Sequence, residues 1–66
     1  MTITCNGVAT DVEAGWTIDH LVAVLALPQR GVAVALDGEV VPRSAWAKTA
    51  LTTHARVEVV TAMQGG

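Results

Sequence analysis

The residues with the clearest chemical potential close the sequence: Ala62-Met63-Gln64-Gly65-Gly66. A C-terminal carboxylate has an ordinary pKa of about 3.3 to 3.7, so at neutral pH it is ionised and is a poor acyl electrophile until something activates it. Glycine at the last two positions removes both Cβ atoms, which lets a chain pass a narrow channel with φ values closed to other residues. The segment 62–66 carries no turn chemistry and no capping residue, and it predicts a flexible arm. At about 3.3 to 3.6 Å per residue, that arm places the carboxylate roughly 17 Å beyond the last strand residue, a length suited to entry into another protein's active site. A frayed terminus with no chemistry is the plain alternative.

Other reactive side chains are scattered. Cys5 falls on the inward side of an alternating strand with no basic neighbour in sequence, the setting of an inert packing thiol. His20 and His54 have no second ligand at metal spacing, and no Ser, His and Asp arrangement suggests a triad. The chain therefore reads as a substrate of enzymes rather than as an enzyme. Its 66 residues make one domain, 52% apolar and 15% charged, near the lower size limit for a core that folds alone. A net charge of −2 without charge runs, and two Trp with no Tyr or Phe, leave neither an electrostatic footprint nor a stacking platform for nucleic acid. The longest apolar run, Leu21 to Leu27, is far shorter than the roughly 20 residues that cross a bilayer. With one cysteine and no signal peptide, the expected home is the cytoplasm.

The elements that must position the arm follow from pattern. Thr2 to Asn6 alternates with Ile3 and Cys5 inward, and Asn6-Gly7 is a strong hairpin signal before a second strand, Val8 to Val12. Thr17 caps a helix with Asp19 in its first turn, Trp16 and Leu21 are placed as a hydrophobic staple, and Ile18, Leu21, Val22 and Leu25 form one apolar stripe. Pro28 is expected to end that helix, and His20 to lie solvated in its first turn. Val32 to Leu36 reads as a strand, Asp37-Gly38 as a second hairpin turn, and Glu39 to Val41 as a strand stopped by Pro42. Arg43 to Lys48 predicts a helical turn folding Trp46 onto the core. In the last strand, Val57 and Val59 point one way and Arg56, Glu58 and Val60 the other. Five strands and one helix in this order give an α+β fold, a β-grasp, with strands one and five parallel at the centre and a right-handed crossover through the helix. The domain is expected over residues 1–61, with 62–66 as its tail.

This arrangement resembles the ubiquitin-like sulfur carriers of the ThiS/MoaD family, and within it those of thiamine biosynthesis. The resemblance rests on the run from Arg30 to Ser44, then Trp46, then Val57-Glu58-Val59-Val60 and the terminal Gly65-Gly66. It implies that a ThiF-like adenylating enzyme uses Mg-ATP to convert the Gly66 carboxylate into an acyl adenylate. Sulfur from cysteine, delivered by a cysteine desulfurase or sulfurtransferase, then makes a thiocarboxylate that a ThiG-like thiazole synthase consumes. Carried over by position, Gly66 is adenylated and bears the sulfur, while Gly65, Gln64 and Met63 are recognised with it; Met63 brings an adaptable thioether. The sheet face opposite the helix, Val60 included, is the expected partner surface, and the free chain is expected to be a monomer with no bound cofactor. Two other readings share the fold: the small subunit of molybdopterin synthase, disfavoured by the absence of Phe and Tyr, and a ubiquitin-like modifier. One departure is His54-Ala55, where the family usually has Gly-Asp; a positive φ at His54 would cost on the order of 1 kcal/mol.

Overall fold

The computed structural model describes residues 1–27 and 31–61. Two hairpins begin the architecture at the expected places. Strands β1 (Thr2–Cys5) and β2 (Val8–Asp11) are antiparallel, and Asn6 and Gly7 turn between them at φ 51 and 81. Strands β3 (Val32–Leu36) and β4 (Glu39–Val41) are likewise antiparallel, with Asp37 and Gly38 at φ 50 and 89. Positive φ at both central residues is the requirement of a type I′ turn, whose twist matches the strands it joins. Space does not select glycine here, since a Cβ on Gly7 or Gly38 would meet nothing within 4 Å. The second strand is one residue shorter than its pattern predicts. Val12 turns into the core at 4% exposure and its N–H bonds to the Met1 carbonyl at 2.8 Å.

The last strand, β5 (Arg56–Thr61), enters between the hairpins, giving the mixed sheet order β2-β1-β5-β3-β4. It runs parallel to β1, with Cys5 opposite Val57, and antiparallel to β3, with Ala33 opposite Val60. Helix α1 (Ile18–Val24) and the 3-10 helix over Arg43–Lys48 cover one face. Between these helices and the sheet lies one core: Ile3, Val34 and Val57 from the strands, Ile18, Leu21 and Val22 from α1, and Trp46 from the 3-10 segment. Val12, Leu51 and Ala55 close it from the connections. Trp46 is 2% exposed, and its indole N–H donates to the Val41 carbonyl at 2.9 Å. The bulkiest buried side chain is thereby satisfied as well as packed, as a buried indole requires.

The start of α1 matches its sequence signals. Thr17 is extended at the N-cap, and its hydroxyl accepts from the His20 N–H at 3.3 Å. Trp16 packs at the rim of the core and stacks on the exposed His20 ring, centroids 4.5 Å apart. The end of the helix corrects the reading from sequence. Pro28 does not stop it; α1 already finishes at Val24. The Leu27 N–H bonds to the Val22 carbonyl and the Ala26 N–H to the Ala23 carbonyl, the paired bonds of a Schellman motif. That motif needs a left-handed residue, and Ala26 supplies it at φ 57. The chain has turned away by Leu25, which is 39% exposed and drops out of the apolar stripe.

An alanine in the left-handed region costs roughly 1 to 2 kcal/mol, of which glycine's larger unfolded-state entropy offsets part. Ala26→Gly should therefore stabilise the domain by roughly 0.5 to 1 kcal/mol, read as a higher urea midpoint at unchanged slope. An unchanged or lower midpoint would refute this account of how the helix ends.

Candidate functional site

Alternation along β5 divides its side chains between two environments. Val57 is buried and Val59 half-buried against the helices, while Arg56, Glu58 and Val60 are exposed on the open face, as the period-2 pattern predicts. Register places Ala33 opposite Val60 and Ala35 opposite both Glu58 and Val40. The open face thus carries two exposed valines, Val40 at 76% and Val60 at 62%, on the strands either side of β3. Between them the β3 side chains are only methyl groups. This leaves a shallow cavity of about 200 Å³ lined by Ala33, Val34, Ala35, Val40, Glu58 and Val60. Its floor is apolar and Glu58 supplies its one charge.

Both hairpin turns also hold β5 through side chains, which sequence reasoning did not foresee. The Asp37 carboxylate accepts from the Arg56 N–H at 2.9 Å, while the Asp37 N–H donates to the Arg56 carbonyl at 2.7 Å. The Asn6 carboxamide accepts from the Val59 N–H at 2.7 Å and donates to the Val59 carbonyl at 3.1 Å. Asn and Asp were legible as turn formers, but nothing in the sequence says which distant strand their side chains meet. At the entrance to β5, His54 holds φ 65, and its N–H donates to the Thr2 carbonyl at 2.8 Å. The turn keeps the left-handed geometry that a glycine would provide.

Met63, Gln64, Gly65 and Gly66 lie outside the described residues, as does the boundary expected between domain and tail. Among the described residues, no group of three or more His, Cys, Asp and Glu is placed to hold a metal ion, and no helix is long and apolar enough to cross a membrane. His20 sits beside Trp16 on α1 and His54 in the turn before β5, so the structure does not bring the two histidines into one site.

Comparison with known proteins adds a decisive observation: the sequence model of the ThiS family matches residues 2–66. The chain belongs to the ThiS family. It is similar to a thiamine biosynthesis protein (ThiS) from Geobacter metallireducens seen in a crystal structure, 32% identical with a TM-score of 0.82 over 100% of both chains. An NMR solution structure of a thiamine biosynthesis protein from the same organism is also 32% identical, with a TM-score of 0.81, covering 100% of this chain and 88% of that one. No curated protein matches. The shared architecture is the β-grasp expected from the element order.

In this ThiS-family chain Cys5 is half-buried on the helix side of β1, and burial pushes its thiol pKa up. The thiolate is the nucleophile, so a raised pKa lowers its population at neutral pH. Iodoacetamide at pH 8 should alkylate Cys5 at least about fivefold more slowly in the folded chain than in the urea-unfolded chain. The gap should narrow as pH rises through the raised folded value; equal rates at pH 8 would contradict a packing role.

Proposed function

We propose that this chain is a sulfur carrier whose Gly66 carboxylate is activated as an acyl adenylate, converted to a thiocarboxylate, and used to build the thiazole ring of thiamine. The observation that carries this reading is membership of the ThiS family over residues 2–66, which supports a sulfur-carrier role in thiamine biosynthesis. The terminal Gly65-Gly66 supplies the acyl group that the finer chemistry needs. The chain itself is the cosubstrate, and catalysis belongs to its partners.

The proposed chemistry follows from the inertness of a carboxylate. A Gly66 carboxylate oxygen attacks the α-phosphorus of Mg-ATP on a ThiF-like adenylating enzyme, and pyrophosphate leaves. The acyl adenylate now has AMP as a good leaving group. A persulfide formed by a cysteine desulfurase or sulfurtransferase attacks the carbonyl carbon and expels AMP. A thiol then cleaves the acyl disulfide, supplying two electrons, and leaves the thiocarboxylate for a ThiG-like thiazole synthase. In this scheme Gly65 admits the chain to a narrow channel, and Gln64 and Met63 are contacted along it. With the last strand ending at Thr61, five extended residues reach roughly 17 Å from the sheet.

The open face would dock the activating enzyme, with Val60 as an anchor. Exposed valines alone are ordinary on a protein surface; what favours this one is its place on the strand that leads into the reacting end. Val60→Asp should raise KM for the carrier in ATP–pyrophosphate exchange by at least about tenfold with kcat little changed, the signature of lost uniform binding. An unchanged KM would remove Val60 from the docking surface.

The reading as a whole is tested by intact mass after incubation with the host's activating enzyme, Mg-ATP, cysteine and a desulfurase. The expected result is a gain equal to one oxygen replaced by sulfur, absent without ATP and abolished or strongly reduced in Gly66→Ala. Conjugates to other proteins with no such gain would replace sulfur transfer by protein modification.

A further inference from the structure

Strand β5 is paired unequally on its two sides. On the β3 side its partners run from Val57 to Thr61. On the β1 side the strand partners stop at Cys5 opposite Val57, because the chain reverses at Asn6-Gly7. One more backbone bond follows, from the Asn6 N–H to the Val57 carbonyl at 2.9 Å. Beyond it, the Val59 N–H and carbonyl would face no strand. The Asn6 side chain fills that place, with Oδ1 accepting at 2.7 Å and Nδ2 donating at 3.1 Å. A carboxamide offers one acceptor and two donors in a plane, so it mimics a peptide group of a further strand residue. Its orientation is fixed, because the flipped amide would set donor against donor and acceptor against acceptor. The same residue takes the left-handed turn at φ 51, which asparagine tolerates better than most.

We propose that Asn6 is a positioning residue: its carboxamide adds a final rung to the β1 side of β5 at Val59, two residues before Thr61, and so, together with the β3 pairing on the other side, holds the end of the strand from which the reacting segment departs. Asn6 is exposed, so water competes for both bonds and their net effect on global stability is small. Their local effect is larger, since two bonds from one rigid plane hold Val59 on the side of β5 that β1 no longer covers, while β3 pairs the other side through Thr61. Asp37 does the corresponding work at the entrance to β5 through Arg56. The inference rests on the proposed activation of Gly66, for which the held strand end would present the carboxylate to the adenylating enzyme.

Three variants of the full chain test it. Asn6→Gly keeps the turn and removes the carboxamide. Asn6→Asp keeps the acceptor for the Val59 N–H and loses the donor to its carbonyl. Thr17→Ala weakens the helix cap, remote from β5, and controls for stability. Hydrogen exchange at the Val59 amide should accelerate at least about tenfold in Asn6→Gly while Val57 is unchanged. In ATP–pyrophosphate exchange with the activating enzyme, Asn6→Gly should raise KM at least about fivefold at nearly constant kcat, Asn6→Asp should fall between it and the parent, and Thr17→Ala should match the parent. A parent-like KM in Asn6→Gly overturns the assignment, and so does an equal KM rise in Thr17→Ala, which would trace the effect to stability. Absence of exchange with the parent chain overturns instead the function on which the assignment rests, and the Val59 amide then still decides whether Asn6 anchors the strand.

Discussion

Everything in this fold depends on inserting the last strand of the sequence into the middle of the sheet. Two hairpins can form from local signals alone, yet each has an open edge until β5 arrives, parallel to β1 and antiparallel to β3. Unpaired strand edges are costly to bury and prone to wrong partners, so the sheet is complete only when residues near both ends of the chain meet. The contacts that achieve this span the sequence. Asn6 reaches Val59, Asp37 reaches Arg56, and the His54 N–H reaches Thr2. A loss of order in β5 therefore exposes both hairpins at once, which couples the fold to the strand that leads to the C-terminal residues.

The core is small and has no Phe or Tyr, so a few side chains must fill it. Trp46 contributes the largest, delivered by a 3-10 segment whose first residue follows Pro42. Proline serves two purposes here, since it cannot donate to a continuing strand and its fixed φ suits entry to the next turn. The indole bond to Val41 then ties the 3-10 segment back to β4. The Ile18 N–H donates to Thr49 and the Leu51 N–H to Trp16, so α1 and the segment after the 3-10 helix are held together through backbone as well as through packing. All described buried residues are apolar, which leaves the polar work to turns and rims.

How much of this was legible depended on whether the signal was local. Asn6-Gly7 and Asp37-Gly38 fix their turns because few other pairs accept positive φ at both positions, and alternation along β5 assigns its faces because strand geometry has period two. The order of elements then left few ways to bury one helix on one sheet. The helix terminus misled because its stop lies in an alanine. Ala26 carries no sequence mark of a left-handed residue, whereas Pro28 two positions on is a strong helix-stop signal, and the bonds to the Val22 and Ala23 carbonyls that end the helix follow from the conformation Ala26 adopts. The second role of Asn6 was hidden for a different reason. A turn former is recognised by its own backbone, but the partner of its carboxamide is 53 residues away. At the candidate site, the exposure of Val60 was readable and the small floor formed by Ala33 and Ala35 was not, since their shared face with Val40 depends on the register between three strands.

The departure at His54 shows how such a fold absorbs a locally poor residue. A left-handed non-glycine costs on the order of 1 kcal/mol, and histidine is among the more tolerant side chains there. The alternative is to abandon φ 65, which would misdirect the chain just before Arg56. That would forfeit the His54 bond to Thr2 and the Thr4 bond to the Ala55 carbonyl, the contacts that set β5 in register with β1. A shift of one residue would exchange the two faces of the strand, exposing Val57 and burying Glu58. Burying an unpaired carboxylate alone costs several times the local strain. The strained turn is therefore held by the register it protects, and substitution at this position alters the local cost without altering which residues reach the open face.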